Sequence, residues 1–199
     1  MLKSPSKQAI HSSLGLEELF QRLQGSTTCD VLELGTVRSG NVAFWSQFCT
    51  SIYIADLRSS LPLQDMTGED EEAAEPDWQH ILGLPEGRHF DIILAWDLLN
   101  YLDLAAVESL MRYLQRFSRQ GTVLFTLIFD HNHMPEKGTV YRIVDESHLA
   151  YEYGSSEMRP CPRHQPRALA CALNQFRTSN SFRLRNGIVE FLFIYDKDS

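Results

Sequence analysis

The chain has 199 residues, 43% of them hydrophobic and 22% charged, which is enough length for one domain with a substantial core. Eighteen basic against 26 acidic residues give a net charge of -8, which excludes a generally basic nucleic-acid-binding surface. No run approaches the roughly eighteen apolar residues of a membrane helix, and Met1 to Leu16 lacks the apolar block and small-residue cleavage site of an export signal, so a cytoplasmic location is expected.

Leu14, Leu16, Leu19, Phe20 and Leu23 recur at three- and four-residue spacing up to Gly25. This predicts a short amphipathic helix on the edge of the domain, within an N-terminal extension 1–28. Val31 to Gly35 (VLELG) is a short apolar strand ending in a turn, and Asn41 to Cys49 has helical spacing through Val42, Trp45 and Phe48. Ser51 to Leu57 (SIYIADL) reads as a strand covered on both faces, as in a parallel sheet, with Asp56 at its carboxyl end.

Seven acids and no base lie in the segment 65–77. Without them the chain carries 18 basic against 19 acidic residues, so the acidity belongs to one loop. That loop reads as a solvated segment, with a docking surface for a basic partner as its functional alternative. Trp78, Ile81, Leu82 and Leu84 come next on a short predicted helix, and no convincing strand is found between Arg58 and Arg88. Phe90 to Trp96 (FDIILAW) is a buried strand ending at Asp97, and Leu104, Val107, Leu110, Met111, Leu114 and Phe117 mark a helix. Gly121 closes the stretch after that helix, and Thr122 to Phe129 is a further apolar strand before the polar DHNHMPEKG. Three strands with two crossover helices predict a parallel α/β sheet.

The last third departs from alternation. Thr139 to Val144, a Tyr-rich piece and a Pro- and Arg-rich segment lead to a predicted helix through Leu169, Leu173 and Phe176. Phe182 and Leu184 then alternate with Arg183 and Arg185, and Asn186-Gly187 predicts a type I′ hairpin turn before the apolar strand Ile188 to Tyr195.

Two βα units, an acid after the second strand and a terminal antiparallel hairpin resemble the class I S-adenosylmethionine-dependent methyltransferases, and bacterial methyltransferase-like proteins among them. The resemblance spans Cys29 to Tyr195. VLELG looks like the family's first motif, Asp56 falls where its ribose-binding carboxylate falls, FDIILAWDLLNYL looks like its fourth strand and the turn after it, and RNGIVEFLF looks like its last hairpin. It implies a Rossmann-like, mostly parallel sheet ending in an antiparallel hairpin, with the third strand missing or short. It also implies S-adenosylmethionine as cofactor, held by Glu33, Gly35, Thr36, Asp56, Leu57, Trp96 and Asp97. The substrate would be a small molecule or a protein side chain.

The chain departs from the family at two points. Val37 and Ser39 stand where two further loop glycines are usual, and a β-branched Val37 disfavours positive φ. The missing third strand removes the usual adenine-recognising residues and leaves Asp77 and Trp78 as guesses. Both departures motivate a second reading, a catalytically silent domain that binds a protein partner. The missing glycines also weaken a third, an NAD-type oxidoreductase.

Residue chemistry keeps further alternatives open. Glu33 inside an apolar strand is costly unless networked or functional. Asp97 could hold a cofactor, position an acceptor or cap the helix after Tyr101, and it and Tyr101 are the candidates for a catalytic role. Tyr101, Tyr151 and Tyr153 form either an acceptor pocket or packing. Asp130, His131 and His133 suit a metal by type but lack a further spaced ligand, so no metal site is expected. Arg159, Arg163, His164 and Arg167 could take an anionic substrate or solvate a Pro-rich loop. Cys29, Cys49, Cys161 and Cys171 form no CxxC pair and read as reduced thiols. The segment 130–165 is the expected substrate-side or lid element.

Overall fold

A computed structural model describes residues 10–23, 28–36, 38–57 and 75–198. The predicted loop residue Val37 and nearly all of the acidic loop 65–77 lie outside the described residues.

The apolar runs become the strands of one central sheet. β2 (Asp30–Glu33), β3 (Ser51–Ile54), β4 (Phe90–Trp96) and β5 (Ser118–Phe129) are mutually parallel where they pair. β10 (Phe176–Arg183) and β11 (Ile188–Tyr195) form the hairpin, and the sheet order is β10-β11-β5-β4-β2-β3. Among the described residues no strand lies beyond β3, and residues 58–74, where most of the expected third-strand departure falls, lie outside the described residues. β11 runs antiparallel between β5 and β10 and contributes Leu192 and Phe193, both essentially buried.

Helices cover one face. α3 (Trp78–Leu82), α4 (Leu104–Leu114) and α5 (Pro166–Ala172) pack there over Leu32, Ile93, Leu124 and Phe193. The Trp78 indole N–H donates to Ser109 Oγ at 2.6 Å, and the Asp77 carboxylate accepts from the His80 N–H at 3.1 Å as the α3 cap. The two adenine guesses are therefore a core tryptophan and a helix cap. Asp103, not Asp97, caps α4 by accepting from Ala106 N–H at 2.7 Å.

The other face carries α1 (Leu14–Leu23), α2 (Ser39–Trp45) and a small second sheet. That sheet pairs β1 (Ile10–Ser12) with β8 (His148–Glu152) and β8 with β7 (Val140–Asp145), all antiparallel. α1 is longer-reaching than an edge helix: Leu16 and Leu19 are fully buried, and Gly15 N–H donates to buried Glu190 of β11 at 2.7 Å. A carboxylate there also favours the positive end of the helix. A short strand pair, β6 (His133–Pro135) with β9 (Met158–Pro160), completes the 130–165 segment.

Several expected boundaries move. α2 ends at Trp45 rather than Cys49. β5 begins at Ser118, with Gly121 at φ 90° where its register against β4 shifts, so this glycine sits inside the strand instead of before it. α5 stops at Ala172 and Phe176 opens β10, because its ring belongs to the core beside Tyr195. The hairpin turn is not type I′. Gly187 N–H bonds Leu184 O at 3.1 Å and Gly187 takes φ 75°, whereas Asn186 keeps negative φ, which is a type I turn with a left-handed glycine after it. The four cysteines are free, but Cys29 and Cys49 meet: a shared hydrogen bond pushes the Cys29 thiol up and the Cys49 thiol down.

Candidate functional site

Strand order reverses between β2 and β4, since β2 pairs with β3 on one side and β4 on the other. A crevice at such carboxyl ends is where open α/β sheets bind ligands. Glu33 ends β2 and is 1% exposed. Its Oε1 accepts from Asn41 Nδ2 at 3.0 Å and from Trp96 Nε1 at 3.1 Å. Its Oε2 has no hydrogen-bond partner among the described residues. Burial pushes the Glu33 carboxyl above its ordinary range, opposed by the bonds from Asn41 and Trp96.

Trp96 decides the shape of the crevice. The register of β4 against β5 shifts between Leu94 and Trp96, and Trp96 takes φ 47°, a left-handed value that bulky residues rarely adopt. Thr126 Oγ1 holds it there by donating to the Trp96 carbonyl at 2.7 Å. The turned indole stacks on Tyr141 at 5.3 Å and 7°, and lies over Gly35. A Cβ at Gly35 would meet Trp96 Cδ1 at 2.9 Å, so this glycine makes room for the chain's own indole.

β7 closes the roof. Asn41, fully buried, donates to Tyr141 O at 3.2 Å and accepts from Ile143 N–H at 3.0 Å. Asp97, also fully buried, accepts from Thr139 N–H at 3.0 Å through Oδ2. The space left among Glu33, Gly35, Thr36, Trp96 and Tyr141 is about 10 Å3. That is about one water's worth, whereas small-molecule sites begin at roughly 300 Å3.

The structure brings Glu33, Gly35, Thr36 and Trp96 to this crevice, with Asp97 next to Trp96 and bonded to Thr139 just before β7. Asp56 is half-buried just past β3, where Ala55 N–H extends the ladder to Glu33 O at 2.9 Å, and Leu57 is fully buried beside it. Tyr101 sits in the 3-10 turn Leu98–Tyr101 and donates to Pro135 O at 3.0 Å. Tyr151 stacks on His11 and touches Tyr153, which is 50% exposed, whereas Tyr101 is buried on Pro135. Sequence reasoning missed Asn41 and Tyr141, which form the roof. A buried-core position on α2 was the only available signal for Asn41, and its identity as Asn was passed over.

Asp130 is committed elsewhere. Arg183 and Arg163 both pair with it and hold its carboxyl below the ordinary range, while His131 Nε2 bonds Asn186 O at 2.6 Å. Among the described residues no three His, Cys, Asp or Glu side chains are placed to hold a metal ion, and no helix is long and apolar enough to cross a membrane. Of the basic cluster, Arg163 and His164 converge on the end of β5, joined by Arg183.

A mostly parallel sheet with an inserted antiparallel last strand, and a crevice at the order reversal, define the class I methyltransferase fold. No family model and no curated protein matches the sequence. Solved structures match in shape. A 1,6-didemethyltoxoflavin-N1-methyltransferase from Burkholderia thailandensis, crystallised with 1,6-didemethyltoxoflavin and S-adenosylhomocysteine, aligns at TM-score 0.51 and 14% identity over 92% of this chain and 77% of that one. An S-adenosylmethionine-dependent methyltransferase from Mesorhizobium loti aligns at TM-score 0.53 and 11% identity over 90% and 97%. One from Clostridium acetobutylicum aligns at TM-score 0.50 and 11% identity over 91% and 89%.

Proposed function

We propose that the crevice binds S-adenosylmethionine and that the protein is a methyltransferase acting on a small molecule or a protein side chain. The observation that carries this reading is the buried Glu33 carboxylate at the order reversal, with Oε2 left without a partner among the described residues. A buried acceptor of this kind suits an ammonium group, and the Asp56 carboxylate just past the end of neighbouring β3 suits ribose hydroxyls. Hydrogen bonds to charged groups contribute about 1.5–3 kcal/mol each. Gly35, Thr36, Leu57 and Asp97 complete the proposed cofactor set, and Trp96, expected among them from the sequence, instead stands in the crevice as its gate.

When bound, the cofactor supplies an electrophilic methyl group on sulfur, and its displacement depends on alignment and exclusion of water more than on a base. The chain supplies both. Glu33 and Asp56 orient, and the 130–165 segment acts as the lid, tied down through Asn41, Asp97 and Tyr101. Entry of a ligand of this size requires Trp96 to leave the crevice, and its positive φ favours a turned-out alternative.

Calorimetric titration with S-adenosylmethionine and S-adenosylhomocysteine tests the reading on wild type, Trp96→Gly and Asp56→Ala. Wild type should bind. Trp96→Gly should bind about tenfold tighter, because displacing the indole lowers apparent affinity, and Asp56→Ala about tenfold weaker. The small crevice favours a second reading, a silent domain that binds a protein partner. Absence of binding in both wild type and Trp96→Gly would overturn the first reading and leave the second in the lead.

A further inference from the structure

Among the described residues a large concavity lies on the helical face, away from Glu33 and Trp96. It encloses about 810 Å3, within the roughly 300–1,000 Å3 range of small-molecule sites. Its origin is local. α5 has only seven residues, and Gln165, extended at φ -60° and ψ 133° before Pro166, keeps the preceding segment from continuing the helix. The segment stands off the sheet and leaves Ile128, Val189 and Phe191, with Leu169 of α5, as an apolar wall. His164 pins it from the other side, its Nε2 lying 2.9 Å from Leu99 O.

The rim is cationic and only partly used. Arg163 and Arg183 share the single carboxylate of Asp130, which leaves one positive charge in excess. Arg163 spends Nη1 on Asn132 at 3.0 Å and Nη2 on Asp130. Arg183, which lines the cavity, reaches Asp130 through Nη1 alone, so most of its five N–H donors have no protein partner among the described residues. Arg163 also takes φ 48°, a left-handed value that persists only where the surroundings over-determine it, as ligand clamps do.

We propose that this cavity binds a small monoanion that joins a carboxylate to a flat apolar body, as an aryl carboxylate does. The carboxylate pairs with the free edge of the Arg183 guanidinium, and one negative charge matches the one excess positive charge. A planar fork suits a carboxylate better than a point charge would. The apolar body lies on Phe191, which stacks with Phe193 at 5.4 Å, and on Val189. A phosphate dianion would leave the site with excess negative charge. None of these residues belongs to the cofactor set, so the inference stands apart from the methyltransferase reading.

Titrations of the full chain with 2-naphthoate, 2-naphthamide and 2-naphthyl phosphate, monitored by calorimetry, test it. Naphthoate should bind below about 1 mM, with the amide and the phosphate each about tenfold weaker. Arg183→Gln and Arg163→Gln should weaken naphthoate about fivefold to tenfold and leave the amide unchanged. Arg167→Gln, exposed and outside the cavity, should change neither. Phe191→Ala should weaken acid and amide alike. Equal affinity for acid and amide, tighter phosphate, equal losses in Arg167→Gln and Arg183→Gln, no effect of Phe191→Ala, or no saturation by about 5 mM would each overturn the proposal.

Discussion

The two faces of the sheet end in opposite ways at the same edge. Over β2 and β4, Asn41, Trp96 and Tyr141 fill the crevice down to about 10 Å3. Over β5, β10 and β11 a seven-residue helix and a proline-rich stretch leave about 810 Å3, with guanidinium donors unspent. Strand ends alone do not make a pocket. The segment laid across them makes or fills it: on one face an antiparallel sheet bolted down by buried amides, on the other a chain that proline holds away from the surface.

Asn100 joins the two regions, and breaking it should have the largest effect. Its Nδ2 donates to Asp97 O and Leu127 O at 2.8 Å each, and its Oδ1 accepts from Phe129 N–H at 2.9 Å, all buried. Asn100→Ala strands these groups and should cost about 3–4 kcal/mol in urea unfolding. A loss under about 1 kcal/mol would show that the regions are not coupled through it.

Trp96→Ala should cost about 2–4 kcal/mol through the hole it leaves. Gly is normally about 0.5–1 kcal/mol worse than Ala, but at φ 47° the order should reverse, with Trp96→Gly the more stable variant. If Ala wins, the backbone is not strained there. Phe191→Ala, on the open face, should cost only about 1 kcal/mol because its ring is only partly buried and lines the open cavity. A cost equal to that of Trp96→Ala would erase the contrast between closed and open faces.

The smallest effect is on pH dependence. Burial raises the Glu33 carboxyl in the folded state, so the folded chain holds a proton that the unfolded chain releases near 4.5. Stability contributed at low pH is therefore lost as pH rises from 4.5 toward the raised folded value. Glu33→Gln should flatten that fall, seen as a stability difference from wild type that grows with pH. A difference independent of pH would mean that Glu33 is not desolvated.

The parallel core was readable because strands covered on both faces must be continuously apolar, as FDIILAW and TVLFTLIF are; Ser51–Ile54 was expected to be covered likewise, but among the described residues it ends the sheet and each of its residues is only partly buried. The α1 and α4 stripes were readable for the same reason at helical period. The small sheet was not. Ile10–Ser12 finds its partner at His148–Ala150, far along the chain, and three residues carry no periodicity. At the site, Glu33, Gly35 and Trp96 could be placed together from strand-end logic. That the indole would fill the crevice depends on one backbone angle and on Tyr141 across the lid, and neither leaves a local trace. Asn186-Gly187 fits the centre of a type I′ turn and equally the end of a type I turn centred on Arg185-Asn186 with a left-handed Gly187 after it, and the dipeptide alone does not choose between them.

The position of β11 has a consequence for biogenesis. Ile188–Ile194 pairs with Val123–Phe129 on one side and carries β10 on the other. During synthesis the apolar edge of β5 therefore stays open until the last strand leaves the ribosome, and β10, made earlier, has nothing to pair with. An unpaired edge of such composition recruits other chains. Nascent molecules thus pass through a sticky stage in which a holdase would shield the open edge of β5.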